Sequence, residues 1–294
     1  MVNLHIIEMT KIIINLQVWT LSLILIGCSA SKKVQSNNND AKPNYQIEVN
    51  TRLAEVDNLG RLYVVDDRNR LINYKPDLTE QYQFADKKSG LISTIDVTNP
   101  LRIIVFYDDF NKINILDNTL SLITDVVLVD KFADVSAAAV TNDGNLWVYD
   151  PVQFKLIKID DSGSKILETS NVNDFGMQYV KIESIREKGN YVVLCDKGQG
   201  FYIFDNLGQY QFHYAANDIK HWNFDGRNIN YFTSTGLKNF SVKYKERIMI
   251  GTPFGVTSPE VMYIIWSGGD YFEINKNGIN VVRGDKVKED DPKR

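Results

Sequence analysis

Leu62-Tyr63-Val64-Val65-Asp66-Asp67-Arg68-Asn69-Arg70-Leu71-Ile72 reads as an apolar strand, an acidic turn and a second apolar strand. Branched and aromatic side chains suit pleated, half-buried backbone, while Asp and Asn bond their own main chain and tolerate tight turns. The pattern returns in Ile103-Ile104-Val105-Phe106-Tyr107-Asp108-Asp109-Phe110-Asn111-Lys112-Ile113 and in Leu146-Trp147-Val148-Tyr149-Asp150-Pro151-Val152-Gln153-Phe154-Lys155-Leu156. It returns again in Val192-Val193-Leu194-Cys195-Asp196-Lys197-Gly198-Gln199-Gly200-Phe201. Two later copies turn on glycine, Tyr231-Phe232-Thr233-Ser234-Thr235-Gly236-Leu237 and Ile264-Ile265-Trp266-Ser267-Gly268-Gly269-Asp270-Tyr271. Each second strand then runs into a further turn, as in Asp117-Asn118-Thr119-Leu120, Asp160-Asp161-Ser162-Gly163, Asp205-Asn206-Leu207-Gly208 and Asn275-Lys276-Asn277-Gly278.

Successive copies begin roughly 30 to 45 residues apart, the period of a four-stranded propeller blade. Runs such as Ser93–Val97 and Ser136–Val140 supply an inner strand ahead of a hairpin, and the small residues of the second suit a crowded inner wall. Helical periodicity is absent, so the chain is all-β. A sandwich does not call for six similar hairpins, and a solenoid needs shorter, more uniform rungs with caps. A single β-propeller of six four-stranded blades protects its strand edges by closing on itself. It is expected over residues 46–284, with Gln46–Val56 as the first inner strand, Ile279–Arg283 as the last outer strand, and the chain ends paired within one blade.

The N-terminus is a targeting segment. Lys11 precedes a mostly apolar run from Ile12 to Ile26 that ends in Leu25-Ile26-Gly27-Cys28-Ser29-Ala30. About 15 apolar residues fall short of the roughly 20 that span a bilayer, which favours a signal peptide over a retained helix. Leu-Ile-Gly-Cys resembles the bacterial lipobox, and the resemblance makes residues 1–27 the signal peptide and Cys28 the lipid-bearing first residue of the mature chain. Glu8 lies where basic residues belong, and a start at Met9 removes it. Cleavage near Ala30 as an ordinary secretory signal is the alternative.

Residues 28–45 are polar and carry almost no large apolar side chain, which reads as a lipidated flexible tether. Residues 285–294, DKVKEDDPKR, read as a charged tail. The net charge is −4, and no Lys/Arg patch interleaved with aromatics points to nucleic acid. With Cys28 committed to lipid, Cys195 stands alone, which excludes an internal disulfide and a Cys-rich metal site.

The stretch Ile95-Asp96-Val97-Thr98-Asn99-Pro100-Leu101, continuing through Val105-Phe106-Tyr107-Asp108-Asp109-Phe110-Asn111 to Leu116-Asp117-Asn118-Thr119-Leu120-Ser121, resembles a family of propeller lipoproteins from the Bacteroidota. The likeness extends more loosely from Trp147–Asp150 to Phe204-Asp205. It implies an accessory of the type IX secretion translocon, with no catalytic residues to carry across. In that group surface lipoproteins bear acidic residues after the anchor cysteine. Ser29-Ala30-Ser31-Lys32-Lys33 departs from that pattern, and implies a periplasm-facing protein on the outer membrane.

No residue set announces chemistry. Asp67, Asp109, Asp150 and Asp196 recur at one hairpin position and are expected at separate blade edges, where they cannot converge on calcium. His213 and His221 are read as packing or hydrogen-bonding residues, leaving no metal and no cofactor implied. There is no Gly-x-Ser-x-Gly elbow, and Cys195 closes an apolar strand, where a buried, inert thiol is expected. The expectation is a non-catalytic scaffold or accessory factor in envelope protein secretion or assembly. Phe110, Phe154 and Phe254 at turns are its candidate partner-binding anchors. A glycan or small-molecule binder stays open and requires a channel-mouth pocket lined by aromatics and amides. A propeller hydrolase also stays open and requires ionisable groups converging there.

Overall fold

The computed structural model describes residues 45–176, 180–251 and 260–284. Cys28, the signal peptide, the tether up to Tyr45, the charged tail and Phe254 lie outside the described residues.

The described chain forms six four-stranded antiparallel sheets. Blade one contains β2 (Thr51–Val56), β3 (Leu62–Asp66), β4 (Leu71–Tyr74) and β5 (Glu80–Phe84), and blade two contains β6 (Thr94–Asp96), β7 (Ile103–Tyr107), β8 (Lys112–Leu116) and β9 (Leu122–Val127). Blade three is β10 (Ala137–Val140), β11 (Leu146–Asp150), β12 (Lys155–Ile159) and β13 (Lys165–Glu168), and blade four is β14 (Ser184–Lys188), β15 (Tyr191–Asp196), β16 (Gly200–Asp205) and β17 (Tyr210–Ala215). Blade five comprises β18 (His221–Phe224), β19 (Asn228–Thr233), β20 (Gly236–Ser241) and β21 (Glu246–Met249). Blade six comprises β22 (Val261–Ser267), β23 (Asp270–Asn275), β24 (Gly278–Val282) and, from the other end of the chain, β1 (Tyr45–Ile47). No helix among the described residues is long and apolar enough to cross a membrane.

The inner strands close the ring: β2 touches β6 and β22, β10 touches β6 and β14, and β18 touches β14 and β22. The molecule is therefore the six-bladed β-propeller that the hairpin repeat predicts, closed by pairing the chain ends in one blade. The closing strand differs from the expectation. Tyr45–Ile47 leaves the first blade and pairs with β24, so Ile279 and its neighbours form the third strand of blade six, not the outermost. Only Thr51–Val56 forms the first inner strand.

Second strands are buried along their whole length in blades one to three, LYVVD, IIVFY and LWVYD, because each is covered by a neighbouring blade on both faces. Outer strands alternate or are exposed, as in EQYQF of β5 and YQFHYA of β17. The core is accordingly a ring of clusters between blades. Tyr63, Val65, Ile103 and Val105 join blades one and two, while Phe106, Ile113, Val148 and Ile157 join two and three. Trp147, Leu156, Val192 and Phe204 join three and four, Phe201, Trp222 and Tyr231 join four and five, and Val64, Ile264 and Phe272 join six and one. Each such side chain stabilises the fold by about 1.5–3 kcal/mol relative to exposure.

An antiparallel four-strand meander sends its first and third turns to one face of the disc and its second turn, with the connection to the next blade, to the other. The hairpin position predicted to carry Asp is the last residue of the second strand, which is Asp66, Asp150 and Asp196 in blades one, three and four but Tyr107 in blade two. Asp66 Oδ1 accepts the N–H groups of Arg68 and Arg70, Asp150 those of Val152 and Gln153, and Asp196 those of Gly198 and Gln199. Asp67 sits one residue past it and Asp109 two, and Asp67 accepts a bond from Asn50 Nδ2 instead.

Candidate functional site

Inner strands line the channel, and several of their charged side chains point into it. Glu55 of β2, Asp96 of β6, Arg186 of β14 and His221 of β18 meet there. Arg186 Nη2 donates to Glu55 Oε1 at 2.8 Å and to the Ile95 carbonyl at 3.0 Å, and Arg186 Nε stands 3.7 Å from Asp96 Oδ1. The guanidinium also lies over the Trp222 ring, 5.8 Å from its centre. Asp96 accepts from Thr98 N–H and Oγ1 and, through Oδ2, from the Val140 N–H of the next blade. His221 Nε2 is 3.3 Å from Glu55 Oε2, and its ring stacks on Tyr263 at 4.6 Å.

Burial pushes the Glu55 carboxyl up, but His221 and Arg186 together outweigh it and hold Glu55 below its ordinary value. Burial likewise works against the Arg186 charge, and Glu55 and Asp96 overcome it, leaving Arg186 more firmly protonated than usual. The Tyr263 hydroxyl is pushed up by burial and then by Glu55.

Glu55 and Arg186 line two cavities, one on each side, so their ion pair is the partition of the channel. On the face of the first turns a cup of about 810 Å³ opens above them. Its wall carries Asn58, Lys188, Asn223 and Trp266. Exposed Leu59 and Leu101 stand on its face, in turns joined by Arg61 Nη2 donating to the Pro100 carbonyl. On the opposite face the cavity is about 100 Å³ and includes Ser184, Lys197, Lys220 and His221.

Phe110 and Phe154, the predicted anchors among the described residues, lie on that opposite face. Phe110 is 52% exposed, its ring against Gly90. Beside it the Leu128 N–H bonds the Asn111 carbonyl, which brings Val129 alongside, and Leu91, Val129 and Val152 are also exposed. Phe154 is half-buried against the cluster between blades three and four, at a left-handed φ of 55°. The histidines are far apart in the fold, one on an outermost and one on an innermost strand. His213 Nε2 is 2.9 Å from the Gln199 carbonyl and its ring stacks on Tyr202. Cys195 is buried, and burial pushes its thiol well above the ordinary value. Among the described residues no three His, Cys, Asp or Glu side chains gather as a metal would require.

Sequence reading missed Glu55, Arg186, Lys188, Asn223 and Trp266. A signal was present: Ser184-Ile185-Arg186-Glu187-Lys188 is a charged run where the blade pattern puts an inner strand, and Arg186 and Lys188 of it line the cup while Glu187 turns between blades to accept from Trp147 Nε1.

No family model matches the sequence, and no curated protein is significantly similar to it. Solved structures are similar in fold. Virginiamycin B lyase from Staphylococcus aureus superposes with a TM-score of 0.55 at 12% identity, covering 81% of this chain and 97% of that one. The Pan2 WD40 domain from Neurospora crassa gives 0.51 at 13% identity over 77% and 76%. BBS1N in its complex with ARL6DN gives 0.53 at 11% identity over 83% and 97%. At such identities the likeness is one of β-propeller architecture, shared by an enzyme and by other propellers alike.

Proposed function

We propose that this protein is a membrane-tethered, non-catalytic recognition scaffold of the cell envelope. It is held by lipid on Cys28 at the periplasmic side of the outer membrane and serves protein secretion or assembly. The observation that supports it is the group of exposed apolar side chains, Leu91, Phe110, Val129 and Val152, on the face opposite the cup. Aromatic anchors dominate protein interfaces, and Phe110 holds its ring half in solvent at the centre of a turn. The ionisable groups of the channel serve structure in this reading, since Glu55 and Arg186 neutralise each other.

The test is affinity purification of the full chain from detergent-solubilised envelopes, beside Cys28→Ala and Phe110→Asp. The expected result is recovery of defined outer-membrane components with the native chain, with at least a tenfold loss for Phe110→Asp. Recovery of the lipoprotein alone, under conditions that preserve other envelope complexes, would overturn the scaffold reading. Metabolic labelling with a radioactive fatty acid checks the anchor, and label retained in Cys28→Ala would overturn that part.

A second reading, binding of a small polar ligand, is favoured by the aromatic and amide lining of the cup.

A further inference from the structure

The cup's ligand can be narrowed by asking which lining groups are already committed. Asp57 accepts from Arg61 Nε at 2.7 Å and from the N–H groups of Leu59 and Arg61. Asp225 accepts the N–H groups of Arg227 and Asn228, and Asp270 holds Arg283 and the Gly284 N–H. Glu55 holds Arg186. Asp57, Glu55 and Asp270 are thus each paired with an arginine, and Asp225 is taken up by the neutral donors of its own turn, Asn228 Nδ2 included. Lys188, by contrast, is half-buried and forms no ion pair among the described residues.

Lys188 also stands where two depressions meet. A second one, of about 230 Å³, shares Asn58, Thr98 and Lys188 with the cup and adds Asn99, Thr141 and Asn142. Through these shared residues the two depressions form one groove, whose walls carry several amides. Its walls are rigid. Asn223 Nδ2 donates to the Trp266 carbonyl at 2.9 Å and Asn223 Oδ1 accepts from Asn230, which accepts in turn from the buried Asn239. Asn142 Nδ2 is fixed on the Gly189 carbonyl. The Trp266 side chain is partly buried against the cluster between blades six and one, its ring centre 6.4 Å from that of Tyr271.

Amides both donate and accept, as the hydroxyls of a sugar do, and a partly exposed indole in the wall offers apolar surface for the C–H face of a pyranose ring. The uncommitted ammonium calls for one negative charge. We infer that the groove binds an acidic oligosaccharide, its carboxylate on Lys188, its hydroxyls on the asparagine amides and one ring face on Trp266. This goes beyond the scaffold reading and does not depend on it, because the groove and the Phe110 surface lie on opposite faces.

The test is calorimetric titration of the full-length chain in detergent with trigalacturonate, a hyaluronan tetrasaccharide and 3′-sialyllactose, each beside its carboxyl-methylated form. At least one acid is expected to bind tenfold or more tightly than its ester, in keeping with the strength of a charge-assisted hydrogen bond. Lys188→Ala is expected to abolish that preference, Lys188→Arg to keep it, and Trp266→Ala to weaken acid and ester alike. Thermal unfolding of each variant reports whether it is folded. Equal binding of acid and ester would overturn the charge assignment, and no binding of any acid by folded protein would overturn the ligand class. Neither outcome bears on recovery of partners through Phe110.

Discussion

Asp57, Asp117, Asp160 and Asp205 each open a five-residue turn in which the carboxylate accepts the N–H groups two and four residues on. The fourth residue is left-handed in every case: Gly60, Leu120, Gly163 and Gly208. That geometry bends the chain back with the twist that adjoining strands require. Gly200 is used differently, at a φ of 117° and with β17 so near that an added Cβ would overlap the Tyr214 carbonyl oxygen and lie 2.6 Å from Ala216 N. Gly200→Ala is therefore expected to destabilise the propeller by about 3 kcal/mol or more, through strain plus displacement of β17. Gly60→Ala, with open space around the site, is expected to cost only about 1–2 kcal/mol. Urea denaturation of the two variants checks the order, and equal midpoints would show that space around the glycine does not decide it. The turns at Asp117, Asp160 and Asp205 were legible as such, since Asp followed by Asn, Thr, Ser or Gly carries its own turn chemistry. The choice of Asp66 over Asp67 was not, nor that blade two puts Tyr107 at the same position, because adjacent acids look alike until the strand register is known.

At the scale of elements, the hairpins were readable because a second strand covered on both faces must be apolar throughout. Closure was not readable in full. Tyr45-Gln46-Ile47 is short, its first two residues are exposed, and nothing local tells whether it continues into β2 or crosses to β24. Without it β24 would present an unpaired edge next to the buried residues Ile279 and Val281. A chain beginning at Val49 is expected to unfold several degrees lower than one retaining Tyr45–Ile47 and to self-associate through the freed edge. Calorimetry with light scattering checks both, and an unchanged midpoint would show that the inner strands hold the ring without this pairing.

The channel belongs to the whole molecule, since Glu55 and Arg186 are separated by 131 positions in sequence. Glu55 is held below its ordinary value of 4.5. A carboxylate depressed on folding contributes stability that is complete above the unfolded value and is lost as pH falls through the folded one. Stability from this ion pair is thus expected to be constant above about pH 4.5 and to decline below it. Glu55→Gln is expected to flatten that decline and to lower stability at neutral pH by about 3–5 kcal/mol, because Arg186 stays buried beside Asp96 alone. Urea midpoints between pH 3 and 7 test this, and parallel acid limbs for variant and native chain would remove Glu55 from the explanation. The remaining acid sensitivity is expected from carboxylates such as Asp86. Burial raises that group, but bonds from Ser89, Lys88 and Asn114 hold it at about 2.

By itself the sequence determined that the chain is all-β, that it repeats a turn-bearing hairpin six times, and that the repeats make a propeller. Alternation, burial on both faces and turn chemistry are local and leave local marks. The tertiary structure alone decided which end supplies the closing strand, that the inner-strand charges neutralise one another across the channel, and that Lys188 and Trp266 share one groove. Ring closure sets these relations. It brings together residues from different blades, and the affinity of Arg186 for Glu55, or of an aromatic wall for a ligand, exists only at distances that no single hairpin encodes.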